Sequence, residues 1–190
     1  RNTMAIKIFI DQGHNPHTVN AGAEGFGVRE QDITYNVGIY LRDFLNADPR
    51  FEARTSRNTP DEILGTNTNT SLAARVNAAN SWPANYFISI HCNANVNPAI
   101  NGTEGYVYQF NTQGHWLAQH IVQAIVDYVG TKYNGIRTAN FYVLRNTTMP
   151  STLIELAYIT NWEDNRLLVN NQYDFAYAMY QGILRYFGFS

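Results

Sequence analysis

The chain has 190 residues, 45% of them hydrophobic and 14% aromatic, enough to build a sizeable core within a single domain spanning 1–190. Thirteen Lys and Arg against fifteen Asp and Glu leave a formal net charge of −2, which gives no broad basic face for a phosphate backbone and argues against nucleic acid as a partner. No run approaches the ~20 apolar residues that cross a bilayer, so membrane insertion is not expected; the opening RNTMAIKIFID lacks the basic and apolar regions of a secretory signal, and the single Cys92 excludes an intrachain disulfide.

Residues 1–4 read as a short tail, and AIKIFID (5–11) as a strand that ends on Asp11. The loop from Gln12 to Val28 is rich in Gly and Asn and long for a compact domain, a length that usually marks function. Its GAEGFG run has no phosphate-loop spacing and reads as flexible. From Glu30 the period changes: Ile33, Val37, Leu41 and Leu45 recur every four residues, predicting a helix of about four turns that stops near Pro49. A strand follows at 51–56, a helix through SLAARVNAAN (71–80), and a strand at YFISIH (86–91). NANVNPAINGT is loop-forming, with Asn101-Gly102 as a tight turn. A strand at 104–110 and a helix at 115–129 capped by Gly130 come next. Strands at 141–145 and 152–159 and a final helix at 173–187 complete the chain. Strands alternating with helices of this length predict an α/β sandwich around a mainly parallel sheet.

In open α/β sheets, ligands gather beyond the carboxyl ends of the strands. Three chemically active side chains fall there: His14 after the first strand, His91 at the end of YFISIH, and Glu155 inside STLIEL. Glu30 opens the first long helix, and the intervening loop is long enough to fold it back toward His14. Two imidazoles and a carboxylate are a recurring zinc set in hydrolases, with the fourth position open to water whose pKa falls toward ~7. A further carboxylate must then move the proton to the leaving nitrogen, and Glu155 suits this better than Glu30 because it sits in an apolar strand where an unpaired charge is costly. Taken singly, each residue also has an ordinary structural explanation: Glu30, for example, is favoured in a first helical turn by the helix dipole alone. His17 is a competing ligand across Pro16, whereas His115 and His120 are five apart on a helix and diverge. Cys92 should face away from His91 as a packing residue. No nucleophile elbow, P-loop or dinucleotide fingerprint is present.

The ordered blocks IFIDQGH (8–14), GVRE (27–30), TSRNTP (55–60), SLAARVNAAN (71–80), YFISIHCNAN (86–95), NGTEGYVY (101–108), FYVLRNTTMPSTLIELAYITNWEDNRLL (141–168) and FAYAMYQGILRYF resemble the type 3 family of zinc-dependent N-acetylmuramoyl-L-alanine amidases. The resemblance covers nearly the whole chain. It implies a three-layer sandwich with an approximately six-stranded, mainly parallel sheet, similar to that of zinc exopeptidases. It also implies hydrolysis of the amide between N-acetylmuramic acid and L-alanine in peptidoglycan, by a monomer acting outside the cytoplasm, in the cell wall or secreted. Carried over position by position, His14, Glu30 and His91 become ligands of one zinc ion and Glu155 the catalytic carboxylate.

The chain departs from the family pattern in two places. Gln12 precedes Gly13-His14 and Asn15-Pro16 follow, which should alter the loop beside the metal; LAY after Glu155 should change the bulk of the pocket wall. Three rival readings share these residues: a non-catalytic wall-binding module, a zinc peptidase, and a glycosidase pairing Glu155 with Glu104.

Overall fold

The computed structural model describes residues 4–189, so residues 1–3 of the expected tail lie outside the described residues. In chain order the elements are β1 (Ile6–Gln12), β2 (Glu24–Gly25), β3 (Val28–Arg29), α1 (Glu30–Ala47), β4 (Phe51–Thr55), α2 (Thr68–Ser81), β5 (Tyr86–Asn93), β6 (Thr103–Val107), α3 (Gln113–Val129), β7 (Tyr133–Thr138), α4 (Tyr142–Arg145), β8 (Ser151–Tyr158), α5 (Trp162–Asn170) and α6 (Gln172–Phe187). Six strands form one sheet in the order β4-β1-β5-β8-β6-β7. The first four run parallel, β6 runs antiparallel to β8, and β7 runs parallel to β6. The result is the expected three-layer α/β sandwich with a mostly parallel sheet.

The parallel strands are apolar on both faces because both are covered. Ile8, Ile10, Ile88, Ile90, Ile154 and Leu156 point to one side, where they pack with α1, α3 and α6 in the larger core. Phe9, Phe87 and Leu153 point to the other and pack with Val76 and Ala79 of α2 and Val143 and Leu144 of α4. Phe9 and Phe87, register partners on β1 and β5, stack with ring centroids 5.8 Å apart.

Two local expectations are corrected, and two elements are added. Residues 141–145 form the single helical turn α4 rather than a strand, since β8 is already paired by β5 and β6 and Val143 and Leu144 find burial beneath α2. The GAEGFG run is not a free loop: β2 and β3 pair as a hairpin whose two turn residues, Phe26 and Gly27, both have positive φ, the geometry of a type I′ turn. Finally, β7 and α5 are elements the sequence patterns do not single out.

Candidate metal centre

The pleat of the sheet places the site. Two residues beyond Phe9, Phe87 and Leu153 on the same face stand Asp11, Ser89 and Glu155, so the apolar row that packs under α2 and α4 continues into a polar row at the carboxyl ends of β1, β5 and β8. His91 follows Ser89 on that face and is the register partner of Glu155. His14 lies just past β1, with φ of 71°, a left-handed conformation uncommon for a side chain with a Cβ. Between them Gly13 lacks a side chain for a clear reason: a Cβ there would lie 2.5–2.7 Å from the ring atoms of His91.

Glu30 is the first residue of α1 and is buried. The loop before it closes reciprocally on the helix: Glu30 N–H donates to the Ala23 carbonyl, and Ala23 N–H donates to Glu30 Oε1 (both 2.9 Å). The other oxygen, Oε2, accepts from Cys92 N–H at 2.9 Å and lies 3.2 Å from both His14 Nε2 and His91 Nδ1. His14 Nδ1 faces two acceptors, the backbone carbonyl (3.3 Å) and Oδ1 (3.2 Å) of Asn20, so it carries the ring hydrogen and turns the lone pair of Nε2 toward Glu30. Burial alone would raise the Glu30 pKa, but its interactions with the His14 and His91 rings outweigh it and hold the group well below the ordinary carboxylate range. For His14, burial lowers the pKa and Glu30 more than compensates, so the net shift is upward.

Two imidazole nitrogens and a carboxylate oxygen gathered at one point form a donor set that a cation can occupy. The three ligand atoms lie within 4.8 Å of one another. A tetrahedral ion with bonds of ~2.0–2.1 Å sets its ligands ~3.3 Å apart, close to the two 3.2 Å histidine–glutamate separations. His14, Glu30 and His91 therefore suit a divalent metal in donor type and spacing.

Glu155 stands beside this group, as the strand neighbour of His91, and faces the same cavity. The cavity, of about 290 Å³, is lined by His14, His91 and Glu155 on the sheet side and by Leu72, Tyr142 and Val143 on the helix side. Glu155 Oε1 is buried without a hydrogen-bond partner. Burial first, and then the negative charges of Glu30 and Glu104, push the Glu155 pKa up to about 8. Glu104 is the register partner of Glu155 on β6, but its carboxylate accepts from the hydroxyls of Tyr106 (2.5 Å) and Tyr158 (3.1 Å) and does not line the cavity.

The sequence model of the family Amidase_3, described as N-acetylmuramoyl-L-alanine amidase, matches residues 8–185. The chain belongs to this family. It is 35% identical over 185 residues to the N-acetylmuramoyl-L-alanine amidase LytC of Bacillus subtilis, covering 95% of this chain and 35% of LytC. It is 34% identical to the amidase CwlM of Bacillus licheniformis, covering 88% of this chain and 62% of CwlM. The chain thus spans between one third and about three fifths of these relatives. Among solved structures, the amidase of Clostridium difficile 630 superposes with a TM-score of 0.86 at 30% identity, covering 98% of both chains. AmiC2 of Nostoc punctiforme gives 0.84 at 33% identity over 96% of this chain and 97% of that one.

The structure brings together all four residues that the sequence nominates, His14, Glu30, His91 and Glu155. The competitors lie elsewhere: His17 is exposed, His115 stacks on Trp116, and His120 bonds the Trp116 carbonyl. Cys92 is buried in the larger core, as expected. The departures Gln12 and Asn15 act as ties. Gln12 Oε1 accepts from Arg57 N–H and its Nε2 donates to the Tyr35 carbonyl, while Asn15 bonds both the N–H and the carbonyl of Leu64. The LAY segment does not form the pocket wall; Leu156 and Ala157 pack into the core, and the Tyr158 hydroxyl turns to Glu104. Asn20, Ser71 and Arg75, which contact His14 or its loop, carry no sequence signal of that role, because their partners are set only by the folded register.

Proposed function

We propose that the chain is a zinc-dependent hydrolase that cleaves the amide between N-acetylmuramic acid and the L-alanine of the peptidoglycan stem peptide. His14, Glu30 and His91 hold the metal, and Glu155 transfers the proton. The observation that carries this reading is the approach of His14 Nε2 and His91 Nδ1 to one oxygen of Glu30, beside a cavity that Glu155 overlooks.

Zinc bound there supplies Lewis acidity toward the scissile carbonyl and lowers the pKa of water toward ~7. The protein does the rest. Glu30 is held by the N–H groups of Ala23 and Cys92, so the ligand set is organised before substrate arrives. Glu155 takes a proton from the attacking water and gives it to the alanine nitrogen, which leaves as an amine instead of a far poorer amide anion. Once ionised Glu155 has taken that proton, burial, which raises its pKa to about 8 in the metal-free protein, favours keeping the proton on the carboxyl until the departing nitrogen becomes the stronger base. Leu72, Val143 and Leu153 give the cavity an apolar side that excludes water from the amide.

Such an enzyme works where peptidoglycan is, outside the cytoplasm, and we read it as acting as a monomer. Among the described residues no helix is long and apolar enough to cross a membrane.

Mass spectrometry of digested sacculi tests the assignment. The expected products are intact stem peptides with a free L-alanine amine and glycan strands without new reducing ends, with activity abolished by a chelator and restored by zinc. Trimmed stems would assign a peptidase instead, and new reducing ends insensitive to chelation would assign a glycosidase.

A further inference from the structure

The stretch that carries His14 is held in an unusual shape. Within seven residues His14, Thr18 and Asn20 all adopt positive φ, of 71°, 70° and 56°. A segment of this kind persists only when its surroundings over-determine it. Here the surroundings are two side chains one turn apart on α2, Ser71 and Arg75, both essentially inaccessible to solvent.

Arg75 holds the backbone. Its Nη1 donates to Asp11 Oδ1 (2.8 Å) and to the Gln12 carbonyl (2.5 Å), and its Nη2 donates to the carbonyl of His14 itself (2.8 Å) and to Asn15 Oδ1 (3.1 Å). An ion pair serving stability alone needs Asp11 only; three of these four bonds go to Gln12, His14 and Asn15, within the four-residue stretch that carries the histidine. Asp11 carries the clamp on to the strand of His91, since its Oδ2 accepts from Ser89 Oγ at 2.7 Å.

Ser71 holds the ring. Its Oγ accepts from Asn20 Nδ2 at 3.1 Å and also from Arg75 Nε at 3.4 Å. The first bond fixes which way the Asn20 amide points, with Oδ1 toward His14 Nδ1. That contact adds to the one with the Asn20 carbonyl, and the two together favour the hydrogen on Nδ1 and leave Nε2 free to bind.

We propose that Ser71 and Arg75 of α2 are positioning residues for His14: Arg75 sets its backbone, and Ser71, through Asn20, sets the tautomer and direction of its ring. This rests on the reading of His14 as a metal ligand. Outer partners of ligating histidines of this kind are worth ~10–100-fold in metal affinity.

The test uses the full chain stripped of metal, with three readouts: zinc affinity by competition with a chromophoric chelator, thermal melting without metal, and the ¹⁵N shifts of the His14 ring. Ser71→Ala is expected to stay folded, to bind zinc ~10–100-fold more weakly, and to shift His14 from an Nδ1-protonated ring to a mixture of tautomers. Arg75→Lys keeps the charge beside Asp11 but loses the second arm, and is expected to weaken zinc binding without changing the tautomer. In a His14→Ala background Ser71→Ala should cause little further loss, because the two act on one ligand. Unchanged zinc affinity and tautomer in a folded Ser71→Ala protein would overturn the proposal, as would losses that simply add in the His14→Ala background. Failure of the unmutated chain to bind zinc would instead overturn the metal reading, while the metal-free ring shifts would still decide whether α2 sets the tautomer.

Discussion

Glu30 and Glu155 are the same residue type at the same rim of one sheet, and their surroundings drive them apart. Glu30 receives backbone N–H groups at both oxygens and stands between two imidazoles, which together overcome the cost of burial and keep it ionised. Glu155 receives burial without that compensation. One of its oxygens has no partner, and the charges of Glu30 and Glu104 add to the cost of ionising it, so it holds a proton up to about pH 8. A carboxylate fit to bind a cation and a carboxyl fit to trade a proton thus arise from one side chain in two environments. Side-chain chemistry alone would not distinguish them.

Exchange of each for its amide should separate the two roles most sharply. Glu155→Gln keeps size and loses the proton; turnover should fall ~10²–10⁴-fold while zinc content, measured by elemental analysis, stays at the unmutated level. Glu30→Gln should do the reverse at source, losing zinc and activity together. If Glu155→Gln retains turnover, or loses zinc, the division of roles is wrong. Gly13→Ala probes the same centre from the backbone. Its Cβ would meet the His91 ring at 2.5–2.7 Å, so the ring must move; a displacement near 1 Å at a reacting centre costs about 10²-fold in rate. An alanine variant with unmutated activity would show that the ring has room to yield.

Much of this was legible before folding. Strands β1, β5 and β8 announce themselves by β-branched and aromatic runs that end on Asp11, His91 and the segment around Glu155, and α1 by its four-residue period. The misread parts share a cause: their local preference lost to their place in the fold. FYVLR is rich in strand formers, but the flanks of β8 are occupied and burial under α2 favours a helical turn. YNGIRT is a poor strand by composition and pairs as the sheet edge, with a positive-φ Gly135 in its midst. A cue for α5 does exist, since Asn161 accepts from Asp164 N–H as an N-cap and Glu163 and Asp164 fill the first turn; its polar start hides the apolar stripe. At the site, the four charged or ring-bearing residues are visible by chemistry. Ser71 and Arg75 are not, because a serine and an arginine on a helix acquire their meaning from partners 51 to 64 residues away.

Zinc binding should report on the Glu30 side of the comparison through pH. A ligand histidine must lose its proton to bind metal, so affinity falls as pH falls, by about tenfold per unit for each proton displaced. Glu30 raises the His14 pKa above its ordinary 6.5, so in this chain the decline should begin at a higher pH than an unperturbed histidine would give. A chelator competition series from pH 8 downward checks it; an onset only below 6.5 would mean that Glu30 does not act on His14 as drawn.

The Glu155 side has a subtler signature, in the stability of the metal-free protein. Its folded pKa of about 8 lies above the ordinary 4.5, so the folded state binds this proton more tightly than the unfolded state does. The stabilisation from that proton is fully present below about pH 4.5 and is lost as pH rises through the folded value near 8. Glutamine at 155 cannot ionise and escapes that loss. The difference in melting temperature, Glu155→Gln minus unmutated, should therefore be small at pH 5 and grow to a few degrees by pH 8.5, with the variant the more stable. Subtracting the two profiles removes the pH dependence that the two proteins share. A difference that stays flat across this range would mean that Glu155 ionises freely in place, and the contrast with Glu30 would then lie in their positions and not in their protonation.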